Sequence, residues 1–246
     1  MRKILSTLFI CLLLASCGNK DSITIEGTLE NGAGKVVYLE DISPDAVIFL
    51  DSITLDKNGH FKTHVEVPYK TFITVHVTPE DYIVLLPDMG EHISLTGVYD
   101  SLSRSYHLKG GHESQLLWQL QDYTNDGNRQ LRQLVAQDAE NRAKLSNGEI
   151  TQKEFEKAHN ATDSTYLSIF GQQQKYVANM IEENLGSLAT LIALYKPFND
   201  RPLIDPETGF EFYVAVLDGL EASLPDNPHT LSFRNEVERL RYQYGR

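Results

Sequence analysis

Hydrophobic and polar residues alternate with a period near two over the first half of the chain. Residues 23–29 (Ile-Thr-Ile-Glu-Gly-Thr-Leu) show the pattern most clearly, and similar short runs recur as far as residue 108, separated by turn residues. Such alternation is typical of strands with one buried face. The sequence therefore predicts about eight strands in an antiparallel β-sandwich or open barrel over residues 23–110. Between two of the runs, Asp56-Lys57-Asn58-Gly59 predicts a hairpin.

After Gly110-Gly111 the spacing of apolar residues changes to three and four. This spacing is typical of amphipathic helices, and it predicts a helical region of about five helices over residues 111–246. Thr151-Gln152-Lys153-Glu154 matches a capping box and predicts the start of a long helix. Asn125-Asp126-Gly127-Asn128 predicts a kink or a break in the helix before it. The expected fold class is α+β.

Residues 1–16 have the layout of an export signal. Arg2 and Lys3 precede an apolar run over residues 5–14, and Ala15 and Ser16 precede Cys17. At about ten residues the run is shorter than the ~20 that a membrane-spanning helix needs. One interpretation is an ordinary cleavable signal peptide that contains a cysteine.

Leu14-Ala15-Ser16-Cys17 also resembles the lipobox of bacterial lipoproteins. That resemblance implies cleavage before Cys17, a diacylglycerol on its sulfur and an acylated N-terminus, with residues 17–22 as a tether. Several acyl chains would hold the protein firmly at a membrane. No Asp directly follows Cys17, so the inner-membrane retention signal of some bacteria is absent, which favours the outer membrane. We expect the protein to face the periplasm, with exposure at the cell surface as an alternative.

Composition narrows the possible functions. The formal net charge is −12, which disfavours binding to nucleic acid. Of the two cysteines, Cys11 lies in the signal and Cys17 in the lipobox, so the folded part has no thiol for redox or nucleophilic catalysis. We therefore expect no redox chemistry from this chain's own side chains.

A series of short motifs follows a familiar order and spacing. The motifs are residues 25–29, 35–39, 51–53, 58–61, 90–97 and 108–111, followed by 184–189 and 227–229. Together they resemble the β-rich domain of unknown function and the helical connector of thiol–disulfide interchange lipoproteins of the TlpA/ResA type. In that family the catalytic Cys-x-x-Cys belongs to a thioredoxin-like domain, and the motifs above include no part of that domain. The resemblance therefore implies an anchored β domain followed by helices, and it assigns no catalytic residue.

Histidines and carboxylates do not form a recognisable catalytic or metal-binding motif. His112-Glu113 lacks the second histidine of a zinc-protease motif, because Leu116 stands at its position. His60 and His64 share a strand face but lie ~13 Å apart along it. His64 and His76 can approach only if the strand register allows it. The sequence predicts no metal site, no cofactor and no catalytic residue.

Asp-Ser pairs recur in four triplets. They resemble the O-glycosylation signal of exported proteins in some Gram-negative bacteria, which would modify Ser22, Ser52, Ser101 and Ser164. Asp-Ser is also common at turns and strand edges for local hydrogen-bonding reasons. Both interpretations stay open.

The leading functional hypothesis is a lipid-anchored, non-catalytic binding or scaffolding module of the cell envelope. The alternative is an accessory part, or the front half, of a thiol–disulfide oxidoreductase. In that case the thioredoxin-like domain would come from a longer gene product or from a separate periplasmic partner.

Overall fold

The computed structural model describes residues 22–245. The strands are β1 (Ile23–Glu30), β2 (Val36–Ser43), β3 (Ala46–Thr54), β4 (His60–Val65), β5 (Phe72–Thr78), β6 (Asp81–Leu85), β7 (His92–Val98), β8 (His107–Lys109), β9 (Pro197–Phe198) and β10 (Arg201–Pro202). The helices are α1 (Leu102–Ser105), α2 (His112–Ser146), α3 (Gln152–Glu183), α4 (Ala189–Leu194), α5 (Phe210–Ser223) and α6 (Pro228–Tyr244). The fold is α+β, with β1–β8 first and the five longer helices after them, which confirms the predicted class.

Strands β1–β8 form two four-stranded sheets, ordered β4-β1-β7-β8 and β3-β2-β5-β6. We call them sheet A and sheet B. Neighbouring strands pair antiparallel, except that β1 and β7 are parallel. All four strands of sheet B, and β4 of sheet A, lie between β1 and β7 in the sequence, so β7 returns to sheet A beside β1. The sheets do not close into a barrel.

Alternating side chains of both sheets fill the space between them. In β1, Ile23, Ile25 and Leu29 point inward and are fully buried, as the period-two pattern predicts. They belong to one hydrophobic cluster with residues of β2, β5, β6 and β7. Gly27 permits close packing there, since a Cβ would lie 2.8 Å from the side chains of Leu95 and Phe61. The two sheets therefore share a single core.

The turn at residues 56–59 joins the two sheets. Asp56 accepts hydrogen bonds from the backbone N–H groups of Asn58 and His60, at 2.8 and 2.9 Å. Gly59 has φ 74°, and a Cβ there would collide with the backbone oxygen of Leu29. However, β3 belongs to sheet B and β4 to sheet A. The hairpin prediction was wrong, because each flanking strand pairs with a different neighbour.

Helices α2 and α3 are the two longest and pack against each other. The predicted break near residue 126 was wrong, since α2 continues through it. Gly127 is buried there, and a Cβ would collide with the side chain of Gln173 on α3. The glycine therefore permits close helix approach. At the start of α3, Thr151 and Glu154 form both hydrogen bonds of the predicted capping box, at 3.3 and 2.8 Å.

A second hydrophobic cluster joins the helices to the outer face of sheet B. Most of it comes from α2–α6, but Phe72 and Leu86 of the β region belong to it, and Ile42 and Val84 pack against it. The helices therefore cover one part of the outer face. None of the helices within residues 22–245 combines the length and hydropathy needed to cross a membrane.

Candidate functional site

The outer face of sheet B carries three rows of side chains set by strand register. In one row Tyr38, His76 and Tyr82 lie opposite one another on β2, β5 and β6. In the next, Glu40, Thr74 and Val84 do so, and in the third Ile42 lies opposite Phe72. Directly opposed residues of antiparallel strands point to the same face. Apolar and aromatic groups thus surround a small polar centre.

A groove of about 420 Å³ lies over these rows, where the helical cover ends. This volume lies within the range of small-molecule sites. Its walls and floor are formed by Glu40, Ile42, Phe72, Thr74, His76, Pro79, Tyr82, Val84 and, from α4, Ile192. Both regions of the chain therefore contribute to it. We call it the sheet B groove.

His76 and Glu40 form the polar centre of the sheet B groove. The His76 side chain is 15% exposed, and its Nε2 lies 3.4 Å from Oε2 of Glu40. That is within ion-pair range but lacks hydrogen-bond geometry, so within residues 22–245 neither ring nitrogen has a hydrogen-bond partner. The ring of Tyr38 stacks on the imidazole at 5.3 Å between centroids. A buried polar ring without a hydrogen bond is uncommon and calls for an explanation.

Apolar surface continues from the groove onto the edge strand β3. Phe49 and Val47 lie opposite Glu40 and Ile42 in the register, and each is 60% exposed. Contiguous exposed apolar patches mark interaction sites more often than singly scattered residues do. The groove is therefore part of a larger apolar face.

A buried polar cluster lies behind the groove, between sheet B and α6. Thr71 Oγ1 donates a 2.6 Å hydrogen bond to Asp41 and lies 3.0 Å from Nε2 of His229. Ser43 donates to the other carboxylate oxygen of Asp41 at 3.1 Å and lies 2.8 Å from the Tyr69 hydroxyl. Asp41 and Thr71 are 2% and 1% exposed. We call this set the α6 cluster.

Burial lowers the pKa of His229, and the nearby Asp41 carboxylate opposes that shift. A neutral imidazole is thus favoured inside the α6 cluster.

Nearby, Lys70 binds Asp88 at 2.7 Å and Glu113 at 2.8 Å. Burial alone would lower the pKa of Lys70. The hydrogen bonds and charges of the two carboxylates have the larger combined effect, so the pKa of Lys70 is raised. Glu113 thereby ties the start of α2 to the β region.

Lys196, just after α4, is a second half-buried cation. Burial lowers its pKa, and its Nζ donates a 2.7 Å hydrogen bond to the neutral side chain of Gln121 on α2. Gln121 in turn donates to Asn125 at 2.9 Å. This chain of polar contacts positions α4, whose Ile192 lines the groove.

The residues singled out in the sequence are dispersed. Cys17 lies outside the described residues, as do the signal and most of the tether. Ser52 and Ser164 are exposed on β3 and α3, whereas Ser22 and Ser101 are half-buried. The Ser52 N–H donates to Asp51 at 2.8 Å, and the Ser164 hydroxyl donates to the backbone oxygen of Asn160 at 2.8 Å. Glycosylation at these serines stays a prediction.

The histidines considered as metal ligands are not brought together. His64 lies on β4 in sheet A, 3.0 Å from the Thr24 hydroxyl, whereas His76 lies in sheet B. Within residues 22–245, no group of three or more His, Cys, Asp or Glu side chains could hold a metal ion. The histidine that matters for the groove is His76, paired with Glu40.

Sequence reasoning did not identify Glu40 or the groove. A signal was present: in β2, Tyr38, Glu40 and Ile42 share one face and Leu39 and Asp41 the other, and both faces contain apolar residues. A strand of that kind is covered on both sides. The pairing of Glu40 with His76, however, depends on the register between β2 and β5, which the sequence does not reveal.

Comparison with known proteins does not assign the chain to a family. A scan against protein-family models finds no match, and a search of the curated proteins finds none either.

Proposed function

We propose that this protein is a lipid-anchored, non-catalytic binding module of the cell envelope, and that the sheet B groove is its binding site. The anchor is the acylated Cys17 that the lipobox resemblance implies. The ligand is a compact apolar group, held mainly by removal of its surface from water.

One observation carries the proposal: the groove combines a suitable volume, mostly apolar walls and a polar centre without hydrogen bonds. Ligand sites commonly have this composition, with a few polar groups that fix orientation. Phe72 supports the floor and is 5% exposed, so the floor is anchored in the helical core. Such a site changes little on binding, which favours affinity.

The test uses the full-length protein in zwitterionic lipid nanodiscs, with ¹³C-labelled isoleucine and valine methyl groups. Titration with neutral 3-propylindole should shift the methyl signals of Ile42, Val84 and Ile192 saturably. A Val84→Lys variant places a charge in the wall and should abolish the shifts at the two isoleucines. Thr28→Lys places the same residue on the exposed face of sheet A and should leave them intact.

Unchanged groove signals in the wild type, or equal shifts in the Val84→Lys variant, would overturn the binding site. The anchor is tested separately, by intact mass of the protein extracted from its native membrane. A chain that begins at an acylated Cys17 supports the anchor, and an unmodified cysteine contradicts it.

A further inference from the structure

We infer that the sheet B groove is selective for a small amphiphilic cation, an apolar body with one primary ammonium group. This inference rests on the proposed function and names the chemical class of its ligand. It follows from the charges, acceptors and ring faces that line the groove.

Charge is the first argument. Glu40 is the only acidic residue among the groove-lining residues described above, which include no Lys or Arg, and its side chain is 32% exposed. Within residues 22–245, His76 is the only basic side chain in ion-pair range of it. A carboxylate beside apolar walls attracts cations and repels anions, and the partial loss of water strengthens both effects. An anionic ligand is therefore disfavoured.

Hydrogen bonding is the second argument. The Glu40 side chain is 32% exposed, and its carboxylate offers two oxygens as acceptors and no donor. A primary ammonium has three N–H donors on one atom, so it can donate to both oxygens at once. A single hydroxyl can donate to only one of them.

Aromatic rings are the third argument. Tyr82 lines the groove, is 49% exposed and lies in the same row as His76. The faces of such rings carry negative potential and attract ammonium groups. The ligand's apolar body then lies on Phe72, Val84 and Ile192, beside the polar centre. An ammonium at the polar centre and an apolar body on the walls around it define an amphiphile.

Three indoles of matched shape test the inference: tryptamine, neutral 3-propylindole and indole-3-propionate. Their dissociation constants are measured from the Ile42 and Ile192 methyl signals of the full-length protein in zwitterionic nanodiscs. Tryptamine should bind about tenfold more tightly than 3-propylindole, as expected for a charge-assisted contact, and indole-3-propionate most weakly. Glu40→Gln should reduce the preference for tryptamine over 3-propylindole to about twofold or less. Glu30→Gln, on an exposed position of sheet A, is the control and should keep the full preference.

The outcomes separate the two proposals. Equal binding of tryptamine and 3-propylindole, or a preference that survives in Glu40→Gln, would overturn the cation selectivity and leave the binding site standing. If none of the three indoles shifts the groove signals, the proposed binding site fails as well.

Discussion

Replacing Thr71 by valine should test whether the α6 cluster stabilises the whole fold. The Thr71 hydroxyl donates to Asp41 at 2.6 Å and lies 3.0 Å from His229. Valine has nearly the same size and shape as threonine. The substitution therefore removes polar contacts without opening a large cavity.

The expected loss of unfolding free energy follows from the burial of Asp41. Asp41 is 2% exposed, and after the change its described side-chain partner is Ser43 at 3.1 Å. A hydrogen bond to a charged group contributes about 1.5–3 kcal/mol, and a buried carboxylate left short of donors costs more. We expect the free energy of unfolding to fall by about 2–4 kcal/mol. Thr71→Ser keeps the hydroxyl and loses one buried methyl, which should cost about 1 kcal/mol.

Urea unfolding of both variants, followed by far-UV circular dichroism and tryptophan fluorescence, measures the difference. Trp118 is the only tryptophan of the chain, and its indole N–H donates to the backbone oxygen of Tyr106 at 3.0 Å. Its fluorescence therefore reports the junction of α2 with the β region. With a slope of about 3 kcal/mol per molar urea, Thr71→Val should lower the midpoint by about 1 M.

The reasoning is refuted if Thr71→Val is no less stable than Thr71→Ser, within about 0.5 kcal/mol. That result would mean that solvent or a rearranged side chain satisfies Asp41 when the hydroxyl is gone.

Three further predictions concern helix packing, pH and capping. Gly219→Ala should lower the free energy of unfolding by about 1–3 kcal/mol, because the new Cβ collides with the backbone of Leu185. Gly171→Ala, with open space around it, should raise the free energy of unfolding by about 0.5–1 kcal/mol. Equal urea midpoints of the two variants would contradict this. Because burial lowers the pKa of His229, the unfolded chain takes up a proton at this residue first as pH falls, so the contribution of His229 to stability should be constant above about pH 6.5 and decrease below it. His229→Gln should flatten that decrease in urea unfolding at pH 5–7, and an identical pH profile would disprove the assignment. Thr151→Ala should accelerate hydrogen exchange of the Glu154 amide several-fold, since that amide loses its acceptor, while exchange in the middle of α3 stays unchanged.

Local sequence patterns predicted the elements whose structure is set by neighbouring residues. The alternation over residues 23–29 matches β1, and the capping box at Thr151 begins α3. Contacts between residues far apart in the sequence could not be predicted in this way. Residues 56–59 predict a turn, which the structure contains. Their sequence does not reveal that the flanking strands enter different sheets, because the partner of each strand is set by packing in the core that the two sheets share. Residues 125–128 predict a kink or a break in the helix, whereas α2 continues through them and Gly127 permits the close contact with Gln173.

The candidate site illustrates the same limit. Glu40 and His76 are 36 positions apart, and only the pairing of β2 with β5 brings them within 3.4 Å. Ile192 joins them from the helical region. The sequence indicated that β2 is partly apolar on both faces, but not which groups cover the outer one.

The α6 cluster has a consequence for communication across the molecule. Asp41 lies between Glu40 and Ile42 on β2, and Thr71 directly precedes Phe72 of β5. The contacts of Thr71 with Asp41 and His229 therefore link α6 to the two strands that form the floor of the groove. Local opening of α6 would loosen that floor, and a ligand that prefers the closed floor must oppose the opening. The first turn of α6, more than 150 residues from Glu40 in the sequence, should therefore become more protected against hydrogen exchange when the groove is filled.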